Sequence, residues 1–180
     1  LVPYLARVPV RVGLPGHGRV WMLTNVVRRP VKPERCHQVW EYLEIAGLAD
    51  RMTVEELEPP RLQIQDTARA DMAHRVGLRP SMPTIGLIPG AARGPSKQWP
   101  PECFTEVGKR LATERRCRIL VLGTKKESSL CRRVADAIGP AALSLGGETT
   151  LAEFAACLSI CRVVVANASG GMPLAAAAGS

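Results

Sequence analysis

The residues with the clearest chemical potential lie in the segment 84–101, TIGLIPGAARGPSKQWPP. Residues 84–88 predict a short buried strand, which Pro89 and Gly90 end, because proline lacks an N–H for the ladder and glycine accepts positive φ. Unpaired amides in such a loop, at the amino end of the next helix, suit a phosphate. Lys97 adds a positive charge on a flexible stem that can reach a diphosphate oxygen. The segment therefore has the chemistry of an anion site.

This loop leaves a second interpretation open. An ordinary strand-to-helix connection with a solvated lysine would contain the same types of residue. The spacing of glycines and lysine in this loop matches neither a Walker loop nor a GxGxxG fingerprint. Taken alone, the loop slightly favours that ordinary connection.

The pattern after Thr84 alternates strands and helices with short connections, which predicts a parallel sheet covered by helices. Thr150 and Glu153 form the signature of a capping box. Residues 167–171 read as a glycine-bearing turn. The predicted strands are 84–88, 118–123, 142–145 and 162–166, and the predicted helices are 101–113, 128–138, 150–159 and 173–178.

The amino-terminal part has weaker signals. We expect a short strand over residues 8–14 and a helix over 34–46, whereas 51–68 shows no sustained period. The sequence GLRPSMP at 77–83 is typical of a linker. The expected organisation is residues 1–76 as one lobe, 77–83 as the linker and 84–180 as a second lobe, with the chain incomplete at both ends.

Composition excludes some classes of protein. The 180 residues are 46% hydrophobic, no stretch approaches the roughly 20 uninterrupted apolar residues of a membrane helix, and the first residues lack signal-peptide order. We therefore expect a cytoplasmic protein. The net charge of +8 favours anionic partners. Nucleic acid is disfavoured, because none of the few aromatic residues is interleaved with a basic run. The densest basic cluster is Arg28, Arg29, Lys32 and Arg35, which could meet a phosphorylated ligand or form a solvated face.

No metal site is expected. The three histidines are far apart and lack a carboxylate or cysteine at ligand spacing, and the six cysteines contain no CxxC pair. Reduced, mostly buried thiols are the favoured interpretation. The histidines are His17, His37 and His74, and the cysteines are Cys36, Cys103, Cys117, Cys131, Cys157 and Cys161.

Three ordered blocks carry a family resemblance: PGAARGPSKQWPPECF, RILVLGTKKES and LSLGGETTLAEFAACLSICRVVVANASGGMPLAAAAG. Together with the upstream RVGLPGHGRVWMLTNVVRRP, they resemble the ADP-heptose:lipopolysaccharide heptosyltransferases of glycosyltransferase family 9. The resemblance implies an α/β fold of the GT-B type, in which two Rossmann-like lobes face a cleft. The amino lobe would hold the acceptor and the carboxyl lobe the nucleotide sugar.

The resemblance also implies roles for individual residues. Lys97 matches the lysine that neutralises the donor phosphates, Gly123 and Thr124 match the turn that lines the adenosine pocket, and Ser169 and Gly170 match the diphosphate-binding turn N-D-S-G-x-M-H. The implied donor-site residues are Gly90, Ala91, Ala92, Lys97, Gly123, Thr124, Ser169, Gly170 and Met172. For Met172, helix packing is an equally open role.

Two positions depart from the family turn. Ala168 replaces its aspartate and Pro173 replaces its histidine, so a carboxylate and an imidazole are missing. The family's catalytic base is an aspartate near the start of the amino lobe, which this chain lacks, so no catalytic residue is assigned. Glu127 and Glu148 could reach a ribose hydroxyl or be exposed helix-start acids, and Trp99 is expected to pack at the helix entry.

The implied function is transfer of heptose from ADP-heptose to the phosphorylated inner core of lipopolysaccharide, without a cofactor or metal and with possible peripheral contact at the inner membrane. The fragment itself is expected to be inactive. The alternative is a non-catalytic lobe that binds a nucleotide diphosphate.

Overall fold

The computed structural model describes residues 2–16, 18–27, 38–47, 59–79, 81–91 and 98–180. Within it the chain forms two compact units, Leu1–Glu58 and Pro59–Ser180. None of the helices in these described ranges is both long enough and apolar enough to cross a bilayer.

The described residues of the first unit form little regular structure. Its two short strands pair in parallel, with Val12 opposite Asn25. The guanidinium of Arg11 donates to the Met22 and Val8 carbonyls and lies over the Tyr4 ring, 5.4 Å from its centroid. The elements are α1 (Val2–Leu5), β1 (Val12–Gly13), a 3-10 turn (Val20–Met22), β2 (Asn25–Val26) and α2 (Gln38–Ala46).

The strand predicted over residues 8–14 is wrong in its extent, since only Val12–Gly13 is a strand. The Val8 N–H instead donates to the Pro3 carbonyl of α1 at 2.9 Å. Pro9 has no N–H to offer a ladder. The predicted helix over 34–46 is present as α2 from Gln38 onward, and its earlier residues lie outside the described part of the chain.

The second unit carries a four-stranded parallel sheet in the order β5 (Ala142–Ser144), β4 (Arg118–Val121), β3 (Thr84–Ile88) and β6 (Val163–Ala166). The predicted parallel α/β pattern is confirmed here, with element ends within about two residues of expectation. The elements are α3 (Asp66–Arg75), β3 (Thr84–Ile88), α4 (Pro101–Glu114), β4 (Arg118–Val121), α5 (Ser128–Ile138), β5 (Ala142–Ser144), α6 (Leu151–Ser159), β6 (Val163–Ala166) and α7 (Gly171–Ala178).

Both faces of this sheet are covered, which explains why its strands are mainly apolar. Alternate strand residues point to opposite faces. Ile85, Leu87, Ile119 and Val121 belong to one core cluster, whose other members come mainly from α4 and α5. Leu120 and Ile88 belong to a second cluster with residues of α3, α6 and α7. The chain is therefore a three-layer helix–sheet–helix structure in this unit.

Helix α3 was not expected from the sequence, because few of its residues are apolar. Of these only Met72 is buried. Charged residues at the two ends and a glycine after the last turn nevertheless indicate a helix. Asp66 lies in the first turn, Arg75 lies in the last turn, and Gly77 follows with φ of 65°. These end signals, more than any apolar period, could have located the helix.

The boundary between the two compact units lies before helix α3, so this helix belongs to the second unit. Met72 and Val76 pack into the second-unit core, and the Arg75 guanidinium donates to the Glu148 carbonyl at 2.7 Å. The expected linker 77–83 therefore starts after a helix that already belongs to the second unit. The assignment of an acceptor lobe and a donor lobe stays a prediction.

Candidate functional site

A cavity of about 510 Å³ lies at the carboxyl edge of the second-unit sheet. From β3 the chain moves outward through β4 to β5, and β6 then returns to the other side of β3. Such a reversal of strand order is where open α/β sheets bind ligands. The cavity is lined by Ile88, Gly90, Gly123, Thr124, Lys125, Glu127, Thr149, Thr150, Leu151, Phe154, Ser169, Gly170, Gly171 and Leu174.

Glu127 joins two of the loops around this cavity. One carboxylate oxygen, Oε2, accepts hydrogen bonds from the Thr124 amide and hydroxyl, both at 2.8 Å. The other, Oε1, lies against Gly90: a Cβ built on that glycine would be 1.9 Å from it. Glu127 is therefore half-buried between the β3 and β4 loops, not an exposed helix-start acid.

The loop between β5 and α6 forms another wall. The predicted capping box is confirmed, because the Glu153 amide donates to Thr150 Oγ1 at 3.2 Å and the Thr150 amide donates to Glu153 Oε2 at 2.7 Å. Hydrogen bonds from the Thr150 amide and hydroxyl, with a smaller effect of Arg75, lower the pKa of Glu153. Leu151 and Phe154 then present apolar surface to the cavity.

The turn between β6 and α7 forms a further wall. Ser169, Gly170 and Gly171 line the cavity here. Amides in the first turn of a helix have no acceptor within it and carry the positive end of its dipole, so this turn suits an anion. Pro173 lies in the first turn of α7 and has no N–H. Ala168 is exposed and offers no side-chain hydrogen bond.

Asn167, the first residue after β6, is a site residue that the sequence did not predict. Its side chain is only 5% exposed. Its Nδ2 donates to the Pro89 carbonyl at 2.8 Å and to the Gly90 carbonyl at 3.3 Å, and its Oδ1 accepts from the Trp99 amide at 2.8 Å. A polar residue directly after an apolar strand, at the edge where parallel sheets bind ligands, was the available signal.

Five of the donor-site residues expected from the resemblance line the cavity: Gly90, Gly123, Thr124, Ser169 and Gly170. Ala91 directly follows Gly90 and is partly buried. Met172 lies in the first turn of α7 with 55% of its surface exposed and does not line the cavity. Ala92 and Lys97 lie outside the described residues.

Trp99 packs where it was expected, at the entry to α4. Its ring meets that of Phe104 edge to face, with centroids 5.1 Å apart. Because Phe104 is fully buried, this contact anchors the end of the β3–α4 connection to the core.

The cysteines of the described part are unpaired, and four of these five are buried. Burial raises the pKa of the Cys131 thiol to about 11, so it is protonated at neutral pH. This thiol lies beneath the cavity, where a Cβ on Gly123 would be 2.7 Å from its sulfur. Across the described ranges, no group of three or more histidine, cysteine or acidic side chains could hold a metal ion. His17, His37 and Cys36 fall outside them.

Comparison with known proteins identifies related sequences along the whole chain. The sequence model of "Glycosyltransferase family 9 (heptosyltransferase)" matches residues 1–180. Lipopolysaccharide heptosyltransferase 2 of Escherichia coli strain K12 is 30% identical over 186 residues, covering 98% of this chain and 53% of that protein. The Salmonella typhimurium protein of the same name is 29% identical with the same coverage. This chain thus spans about half the length of the curated relatives it matches.

The fold is also similar to a solved structure, that of E. coli ADP-heptose LPS heptosyltransferase II. The TM-score is 0.73 at 27% sequence identity, and the match covers 98% of this chain and 56% of that one. The likeness supports the expected GT-B class as well as the parallel α/β fold. Because the family match spans every residue of the sequence, this chain belongs to glycosyltransferase family 9, the heptosyltransferases.

Proposed function

We propose that this chain supplies the nucleotide-sugar site of an enzyme that transfers heptose from ADP-heptose to the inner core of lipopolysaccharide. The observation that carries the proposal is the cavity at the β3/β6 reversal, where the loops after all four parallel strands of the second-unit sheet converge. Family membership makes a sugar nucleotide the class of ligand to test. Because the chain spans about half of its relatives, the activity is proposed for the longer protein.

The cavity has a suitable environment for each part of the donor. Leu151, Phe154 and Leu174 offer apolar surface for a base, and Glu127 Oε1 offers an acceptor for a sugar hydroxyl. Ser169, Gly170 and Gly171 of the β6–α7 turn line the cavity, so the diphosphate is proposed to lie against the start of α7. Lys97 is proposed to add the positive charge there.

The proposed reaction is a displacement at the anomeric carbon. A carboxylate from the part of the longer protein that this chain does not span takes the proton of the acceptor hydroxyl. The oxygen of that hydroxyl forms the new bond to the anomeric carbon. The bond to the diphosphate breaks, and its electron pair leaves with ADP. Lys97 and the loop amides would stabilise the growing negative charge on the leaving group without a metal or cofactor. We further propose that the reaction takes place in the cytoplasm, at the inner face of the membrane where the acceptor is held.

Titration calorimetry with ADP and ADP-heptose tests the donor site. Wild type should bind both, and Lys97→Ala should weaken binding by roughly tenfold or more, because a charge-assisted contact contributes about 1.5–3 kcal/mol. Lys109→Ala is the matched control: it removes the same charge from an exposed position of α4 away from the cavity, and should bind normally.

Single-stranded RNA is the contrasting ligand. If RNA bound with steep salt dependence while ADP did not bind, the proposed donor site would be refuted.

A second candidate, a lobe that binds a nucleotide diphosphate without transfer, is favoured by two residues. Ala168 brings no carboxylate to the cavity edge, and Pro173 removes an amide donor from the first turn of α7. Incubating the full-length protein with ADP-heptose and inner-core acceptors that carry either no heptose or one heptose separates the candidates. ADP binding without ADP release in that assay would select the second one.

A further inference from the structure

The side chain of Asn167 connects segments that are distant in sequence. It leaves the carboxyl end of β6 and contacts Pro89, Gly90 and Trp99, which lie 68 to 78 residues away. Both Nδ2 hydrogens have an acceptor and Oδ1 has a donor, so both polar atoms of the amide are engaged at a nearly inaccessible position.

These contacts join the two ends of the β3–α4 connection. Pro89 and Gly90 begin that connection, and Gln98 and Trp99 end it; we call these four residues the neck. Gln98 Nε2 also donates to the Pro89 carbonyl, at 3.2 Å. Asn167 follows β6, the strand beside β3. Its hydrogen bonds therefore hold the two ends of the neck together, which is what we mean by closing the neck.

Only a carboxamide satisfies all three partners at this position. Alanine would leave the Gly90 carbonyl and the Trp99 amide without their bonds to this side chain, and an unpaired buried polar group is costly. Aspartate could still accept from the Trp99 amide, but its second oxygen would face two carbonyl oxygens. The neck thus requires two donors and one acceptor from a single short side chain.

We propose that Asn167 is a positioning residue of the donor site: it fixes the spacing of the neck and so holds Gly90 at the cavity before any ligand binds. This inference rests on the proposed function, because the benefit of the fixed neck is donor affinity. A pre-organised loop costs less entropy to order when a ligand binds.

Asn167→Asp tests the requirement for donors with an almost isosteric change. At about pH 8.5 the ionised aspartate should weaken ADP binding by about tenfold to a hundredfold relative to wild type. At about pH 5.5 the deficit should shrink, because burial favours the neutral acid, which can again donate. Glu127, which faces Gly90, is present in both proteins, so its own titration is common to wild type and variant at each pH.

Amide exchange of Trp99, followed by NMR without ligand, tests the neck itself. Asn167→Ala should expose this amide to exchange at least about tenfold faster than in wild type, because its acceptor is lost. Thr105→Ala is the control, since it removes a side-chain bond to the Pro101 carbonyl in α4 and leaves the neck intact. Should Asn167→Ala not fold, Asn167→Ser replaces it, with one hydroxyl in place of the carboxamide.

The two measurements separate the inference from the proposed function. If wild type does not bind ADP, the proposed function fails, and Trp99 exchange still decides whether Asn167 holds the neck. If wild type binds ADP but Asn167→Asp binds equally well at both pH values, or Trp99 exchanges at the wild-type rate in Asn167→Ala, Asn167 does not position the site.

Discussion

At the scale of single residues, the contact between Glu127 and Gly90 shows how closely the two loops approach. The glutamate carboxylate occupies the space where a side chain on residue 90 would begin. It also caps Thr124 through two hydrogen bonds. One acid therefore holds the β4 loop and fills the space beside Gly90, so a larger residue at position 90 would have to displace its carboxylate.

Gly90→Ala is expected to destabilise the chain by about 1–2 kcal/mol, because the new methyl group must displace the Glu127 carboxylate and its bonds to Thr124. Urea unfolding measures this loss. Gly170→Ala should change stability by about 0.5 kcal/mol or less, since nothing lies within 4 Å of a Cβ there.

A double-mutant cycle checks the cause. In a Glu127→Ala background the alanine at position 90 should no longer carry that cost, because the displaced carboxylate is absent. Equal destabilisation in both backgrounds would show that another neighbour is responsible.

At the scale of elements, helix α6 is positioned by its amino end. Thr150 and Glu153 exchange hydrogen bonds there, and Arg75 of α3 lies 3.0 Å from Glu153. This end of α6 is also a wall of the cavity, since Thr150 and Leu151 line it. The local cap thus links helix stability to the shape of the site.

Thr150→Ala should cost about 1 kcal/mol of unfolding free energy at neutral pH, because the first turn of α6 loses its cap, whereas Thr150→Ser should retain most of it. The depressed pKa of Glu153 means that its contribution is present above the ordinary value of 4.5 and is lost as pH falls below it. The acid-side loss should therefore be smaller in the alanine variant. Urea midpoints at about pH 7 and pH 3 test this, and identical acid sensitivity in the two variants would count against the cap.

At the scale of the whole molecule, the second-unit core contains thiols as well as aliphatic groups. Burial raises the pKa of Cys131 and of Cys157 to about 11 and that of Cys161 to about 12. The neutral thiols are compatible with the core and the thiolates are not. Their contribution to stability is complete below the ordinary value of 9.0 and is lost as pH rises through the raised values.

Alkaline titration of stability tests the thiol core. The urea midpoint should decline from about pH 9 upward, and the double variant Cys157→Ala/Cys161→Ala should decline less steeply, although its absolute stability is lower. Lysine and tyrosine ionisation is common to both proteins, so the difference in slope isolates the thiols. Equal slopes would mean that these cysteines do not govern the alkaline loss.

Most element bounds of the second unit could be predicted because they depend on local sequence patterns. The strand Thr84–Ile88 and the helix Ser128–Ile138 have the predicted bounds, because a continuous apolar run and a helical period are properties of neighbouring residues. The capping box at Thr150 is equally local. Helix α3 was missed, because its stability comes from packing Met72 against distant elements.

The sequence alone determined the order of strands and helices from β3 onward, the family and the glycines at the strand ends, since each depends on short-range pattern or ordered motifs. Tertiary structure decided that α3 belongs to the second unit, that Glu127 fills the space beside Gly90, and that Asn167 closes the neck. The physical reason is distance along the chain: the bond from Asn167 to Pro89 spans 78 residues, so no local pattern can specify it until the sheet brings β3 and β6 side by side.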